Sequence, residues 1–177
     1  QVKGSKLAKS PALSQMNHPG DVGIKGRKIA VLVADGVDGA SVDQQVKALE
    51  AHSARIMVLG PTSAPVKTAQ GKPLPVDASM EGMPSIMFDG IVVPAGKASL
   101  DALGASGLAK HFLLEGYKHL KAIALAKEGK ALLDSLGLKE DKGLLLGDDQ
   151  KTVDAFVKAV EGHRVWAREA AAEAVPA

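Results

Sequence analysis

The chain has 177 residues, 46% of them hydrophobic, enough to bury one largely aliphatic core and too many for a peptide hormone or a disordered regulator. Its 22 Lys and Arg against 20 Asp and Glu leave a formal charge of +2, and three Phe, one Trp and one Tyr offer few stacking surfaces, so neither nucleic acid nor a membrane surface is expected as a partner. With no cysteine, disulfides, zinc fingers, iron–sulfur sites and thiol catalysis are excluded, and no apolar run reaches the roughly 18 residues of a membrane span.

Residues 1–27 are rich in Lys, Ser, Pro and Gly without a helical or strand period, and they read as a linker or arm. The opening Gln1-Val2-Lys3-Gly4-Ser5-Lys6 leads into no hydrophobic stretch of a secretory signal, which leans toward the cytoplasm. It also lacks a starting Met, as a processed protein or a piece of a longer one would. Ile29 to Ala34 is apolar without alternation and closes at Asp35-Gly36, the pattern of a strand buried on both faces. Ser41 with Gln44 forms a capping box, and Val42, Val46 and Leu49 put one apolar stripe on a helix from about Ser41 to His52. A second strand spans Ile56 to Leu59.

Pro65, Gly71, Pro73, Pro75, Gly82 and Pro84 exclude a long helix between residues 62 and 89, where Val66-Lys67-Thr68 and Leu74-Pro75-Val76 are expected to pair as an edge hairpin. Ile91-Val92-Val93 is the third strand, followed by a helix with Leu113, Leu114, Tyr117 and Leu120 on one side. Ala122 to Ala126 is the fourth strand, Lys130 to Leu136 a short helix, Leu144 to Leu146 the fifth strand, and a final helix from Asp149 turns Val153, Phe156, Val157 and Val160 inward. The expected organisation is an arm over 1–27, a domain over 28–169 and a tail over 170–177. Strands alternating with helices, each strand too apolar for a one-faced sheet, imply a three-layer, doubly wound, mainly parallel α/β domain.

In such a fold ligands lie at the carboxyl ends of the strands. The loops there offer Asp38, Lys97, Lys127 and Glu128; the competing reading is that these are solvated loop tips with glycines serving turns. Neither a P-loop nor a dinucleotide fingerprint is present, and Gly36 and Gly39 alone are a weak signal. A nucleophile elbow would follow the fourth strand, but Ala126 stands there. Ser106 reads as a helix N-cap. His18, His52, His111, His119 and His163 show no metal-ligand spacing, and His111 with Glu115 reads as an exposed i, i+4 pair. Trp166, between Arg164 and Arg168, covers either the domain's own rim or an interdomain contact.

Longer strings carry a resemblance. Gly26 to Leu32, Asp89 to Gly96, the Tyr117-Lys118-His119-Leu120-Lys121 run leading into Ala126, and His163-Arg164-Val165-Trp166 are similar to the C-terminal domain of large-subunit haem catalases of the hydroperoxidase II type, over about residues 11–168. Ser10 to Ser14 resembles the linker into that domain. The resemblance implies a flavodoxin-like fold of the PfpI-type superfamily, whose active members place a cysteine at the elbow and an acidic residue after the first strand. Here Ala126 and Lys127 occupy the elbow and Asp38 lies near the acidic position, so with Glu128 they would mark a vestigial pocket without hydrolase, glyoxalase or amidotransferase chemistry. It further implies no cofactor in this stretch, with haem held by a separate catalase domain of a hydrogen-peroxide-degrading parent. The partners would be that domain and the neighbouring subunits of a tetramer, and non-native client proteins if the domain has the chaperone-like activity associated with the family. The alternative is a small-molecule enzyme or binding site using Asp38, Lys127 and Glu128.

Overall fold

A computed structural model describes residues 23–176. The arm over residues 1–22, with the linker-like Ser10 to Ser14 and His18, lies outside the described residues, as does Ala177. Among the described residues the strands are β1 (Lys28–Leu32), β2 (Arg55–Gly60), β3 (Val66–Lys67), β4 (Pro73–Leu74), β5 (Ala78–Ser79), β6 (Gly90–Val93), β7 (Ala122–Leu125) and β8 (Leu144–Leu146). The helices are α1 (Gly39–Glu50), α2 (Lys97–Ala105), α3 (Gly107–Lys118), α4 (Lys130–Ser135), α5 (Gln150–Glu161) and α6 (Glu169–Ala172).

Six strands form one parallel sheet in the order β5-β2-β1-β6-β7-β8, with the order reversing between β1 and β6. Why the central strands lack polar alternation is visible in their two faces. Ala30, Leu32, Ile91, Val93, Ile123 and Leu125 pack under Leu103, Phe112 and Leu133 of α2, α3 and α4. The intervening Ile29, Val31, Val92, Ala122 and Ala124 pack under Val42, Leu49, Phe156 and Val160 of α1 and α5. Each strand therefore buries both sets of side chains, as a doubly wound three-layer domain requires.

Several local expectations are revised. The helix after β1 starts at Gly39, not Ser41, because the Asp38 carboxylate accepts from the Ala40 N–H (3.0 Å) and caps it. Ser41 instead turns its hydroxyl to the Ala95 N–H (3.0 Å), so it does not form the capping box with Gln44. The β3–β4 hairpin is antiparallel but stands apart from the main sheet, whose edge beside β2 is β5. It is held over the loop after β1 instead: the Lys67 N–H donates to Asp35 (2.8 Å) and the Gly36 N–H to the Lys67 carbonyl (2.7 Å). Two helices separate β6 from β7. The second begins where Ser106 caps the Ala109 N–H (3.2 Å), as its type and position suggest.

The packed body also extends past both boundaries read from composition. Ile24 is buried within the core on the α1 and α5 side of the sheet. Beyond residue 169, α6 continues to Ala172, which is buried, and Val175 packs against the α3 side. An apolar side chain every third or fourth residue is enough to seat so short a helix. In the segment from Met80 to Phe88, Met80 and Phe88 are buried, whereas Ile86 is 63% and Met87 46% exposed. Ile86 is thus a surface residue.

Candidate functional site

The loops after β1, β6, β7 and β8 meet at the carboxyl end of the sheet. They approach closely because two glycines adopt a positive φ where a side chain would collide. A Cβ on Gly36 (φ +86°) would lie 2.5 Å from the Ala98 Cβ, and one on Gly96 (φ +129°) would lie 2.6 Å from both the Asp38 nitrogen and the Gly36 oxygen. The Asp38 N–H donates to the Ala95 carbonyl across this contact (2.8 Å).

Around Gly96 the structure brings together two of the residues expected there. Asp38 accepts from Ala40 and from the Gln70 side-chain amide (3.3 Å), while Glu128 accepts from the Gly96 N–H (3.3 Å). Lys127 is exposed and anchored through its backbone N–H to the Asp148 carboxylate (3.0 Å). Lys97 points away to Asp101 on its own helix (2.8 Å), and that hydrogen bond raises its pKa. The carboxylates at this end are therefore occupied by backbone donors, which suits fastening loops rather than moving protons.

At the elbow position Ala126 has φ −54° and ψ 152°, an ordinary extended conformation rather than a strained turn. It is buried, and the cavity beside it, lined by Val93, Ala126, Gly147, Thr152 and Phe156, has a volume of about 10 Å³. That is room for about one water and not for an organic substrate. Replacing Asp38 by Ala is expected to cost about 1 kcal/mol, the loss of a helix cap. Urea unfolding would check this, and a loss of several kcal/mol would mean that Asp38 organises more than α1.

Sequence reasoning missed Asp148, whose signal is an acidic pair, Asp148-Asp149, directly after a strand. It also missed a denser polar cluster at the opposite end of the sheet. Lys121, 1% exposed at the entry to β7, donates to the Ser85 carbonyl (2.6 Å). Burial pushes its ammonium down to about 8, with Arg164 adding to the effect and Asp89 and Glu115 opposing it. Ser85 in turn donates its hydroxyl to Glu115 (2.6 Å), so Glu115 is a half-buried acceptor and not the exposed partner of His111.

Arg168, 2% exposed, forks onto both oxygens of Asp141 (2.8 and 2.9 Å), donates to the Lys121 carbonyl (2.7 Å) and lies 4.2 Å above the Tyr117 ring. Partial burial works against ionising Asp141. The Arg168 guanidinium and the N–H groups of Gly143 and Leu144 nevertheless hold its carboxyl below the usual range. The cluster ties α3, the approach to β8 and the C-terminal turn together, so its chemistry is cohesion.

Lys121 makes stability depend on pH in an unusual direction. Its folded pKa lies below the ordinary lysine value, so the unfolded state binds the extra proton, and stability rises as pH increases from about 8 toward 10. The gain expected from this group is about 2 kcal/mol. Urea midpoints across that range should climb in the wild type and stay flatter in Lys121→Met; parallel curves would show that Lys121 does not titrate there.

The remaining expected residues stay apart. His52, His111, His119 and His163 are spread over the domain, and among the described residues no three His, Cys, Asp or Glu side chains are grouped as for a metal ion. No helix among the described residues is long and apolar enough to cross a membrane. Trp166 is 64% exposed and walls a groove of about 500 Å³ beside α5.

Comparison with known proteins places this geometry. The family described as the C-terminal domain found in long catalases matches residues 25–170. Catalase HPII of Pseudomonas putida is 83% identical over 177 residues, all of this chain and 24% of the relative. Catalase HPII of Pseudomonas aeruginosa is 43% identical over 170 residues, 95% of this chain and 24% of the relative. Catalase-B of Dictyostelium discoideum is 35% identical over 99% of this chain and 26% of its own length. The chain thus spans about a quarter of the length of these curated relatives. Among solved structures, Drosophila melanogaster DJ-1beta superposes with a TM-score of 0.67 at 17% identity, covering 83% of this chain and 95% of that one. Oxidised Toxoplasma gondii DJ-1 does so with 0.64 at 15% identity, covering 84% and 97%. At such identities these two likenesses concern the fold.

Proposed function

Since the chain belongs to the C-terminal domains found in long catalases, we propose that it is the non-catalytic accessory domain of a hydrogen-peroxide-degrading haem catalase, contributing to the stability and assembly of that enzyme. The observation that carries this reading is the match along the whole chain to a quarter of a catalase HPII. The filled elbow supports it: Ala126 supplies no nucleophile, and about 10 Å³ beside it admits no substrate. Partners on this reading are the catalase domain of the same parent chain and the neighbouring subunits of a tetramer.

The described residues do not fit a haem. Tyr117 is buried on α3, and the Arg168 guanidinium lies 4.2 Å from its ring centroid and covers the ring face. The cavity of about 420 Å³ along Tyr117 is walled by Leu136, Leu138, Ala171, Ala174 and Val175, with Lys139 as its charged side chain, and among the described residues no histidine, methionine or second tyrosine lines it. On this reading haem chemistry belongs to another part of the parent.

A holdase activity without ATP is the finer part of this proposal. Ile86, Met87 and Leu108 are exposed, and Leu108 with Met80, Pro84 and Phe112 lines a cleft of about 200 Å³ that Glu81, His111 and Glu115 also border; exposed Met and Ile side chains are an adaptable apolar surface of the kind that non-native chains bind. Light scattering of a heat-labile enzyme with an equimolar amount of this domain tests it. Reduced aggregation, lost in Ile86→Ser with Met87→Ser, is the expected result; equal aggregation with the domain still folded leaves the stabilising role alone. The alternative, an enzyme using Asp38, Lys127 and Glu128, would be established by turnover of esters or methylglyoxal that disappears in Asp38→Ala with Lys127→Ala. Mass spectrometry of the native source protein tests the parentage directly: these peptides should occur in a chain about four times longer, together with peroxide turnover.

A further inference from the structure

The groove beside α5 extends the accessory reading, on which this inference rests, to a particular surface. Its apolar walls are Leu145, Ala155, Ala159, Val165 and Trp166. Trp166, at 64% exposure, leaves more of its surface to solvent than any other large apolar side chain of the described residues. Lys142, Lys158 and Arg164 also line the groove, and among the described residues its lining includes no carboxylate. An apolar trough with one sign of charge along it favours a partner of opposite charge.

The chain enters the described domain at this same place. The Gly23 N–H donates to the Glu161 carboxylate at the end of α5 (2.9 Å), and Gly162, the next residue, lines the groove. In the long relatives about three quarters of the polypeptide lies outside this stretch, and because the domain is C-terminal there, that remainder arrives through Gly23. The 22 residues before Gly23 can reach at most about 75 Å, so whatever precedes them is held near the groove at high effective concentration.

We propose that this groove is the seat on which the preceding body of the same long chain docks, through an apolar side chain flanked by carboxylates. Trp166 fills the apolar contact, and Lys142, Lys158 and Arg164 meet the acidic residues. The surface that stays exposed in the domain by itself is then covered in the whole enzyme.

The test uses the intact long-chain protein. Zero-length carbodiimide cross-linking followed by peptide mass spectrometry should join Lys142 or Lys158 to carboxylates upstream of Gly23 in the same chain, with a yield independent of protein concentration. Hydrogen exchange over residues 155–167 should be at least tenfold faster in Lys158→Glu and in Trp166→Ser than in the wild type, with peroxide turnover unchanged. A charge reversal at Lys110, on α3, should leave exchange over 155–167 as it is in the wild type. Absence of these cross-links, or equal exchange in wild type and both variants, would overturn the docking seat. Cross-links that fade on dilution would assign the groove to a second copy instead and overturn the proposed occupant. An intact chain without peroxide turnover would sink the accessory reading itself, a separate outcome.

Discussion

Arg168→Met is expected to lower the thermal midpoint by about 8 °C, because removing the buried partner of a half-buried ion pair, together with its hydrogen bond to a buried carbonyl, costs about 3 kcal/mol in a domain of this size. The guanidinium has no exposed side-chain surface, and it serves Asp141 twice, the Lys121 carbonyl once and the face of Tyr117. Methionine fills part of the volume but leaves the Asp141 carboxylate and the Lys121 carbonyl without their donor. Asp141→Asn in the same background should recover part of the loss, since the stranded charge is then gone while the amide oxygen can still accept from Gly143 and Leu144. A single variant within about 1 kcal/mol of the wild type would show that water replaces the guanidinium and that the cluster is not cohesive.

The same pair sets an acid limit. Asp141 is held below its ordinary pKa, so its contribution is present above the unfolded carboxylate pKa and is lost as pH falls through the folded value. Unfolding midpoints measured from pH 6 downward should fall less in Arg168→Met than in the wild type, because without the guanidinium the folded carboxyl no longer titrates below the unfolded one. Identical acid profiles would separate Arg168 from the titration of Asp141.

Gly96→Ala is expected to cost about 4 kcal/mol, as much as a large core deletion, although it adds one methyl group. Two penalties combine. The φ of +129° is strained for any side chain, and the new Cβ would lie 2.6–2.7 Å from backbone atoms of Gly36, Val37 and Asp38, which cannot swing aside as the end of a side chain can. Gly71→Ala separates the two, because Gly71 also has a positive φ (+79°) but open space around its missing Cβ. It should cost only about 1–2 kcal/mol. Equal losses in the two variants, measured by urea unfolding, would mean that conformational strain alone accounts for Gly96 and that the loops after β1 and β6 are not wedged together.

The amino-acid sequence by itself determined the α/β class, because Ile29 to Leu32 of β1 and every residue of β6 and β7 are apolar, and only a strand covered on both faces tolerates that. It determined that no cysteine nucleophile stands after β7, and its longer strings identified the family to which the chain belongs. Signals of this kind are local, carried by residue type within a few positions. What tertiary structure decided was where each polar group finds its partner. Asp38 reads the same in the sequence whether or not it caps a helix; the approach of Gly96 to its backbone and the Ala40 N–H at 3.0 Å are visible only in the folded chain. Lys121 and Arg168 look like two surface cations in the chain. They are buried because Ser85 and Asp141, 36 and 27 residues away, arrive with the acceptors, and a charge leaves water only where partners brought by other segments replace its hydration.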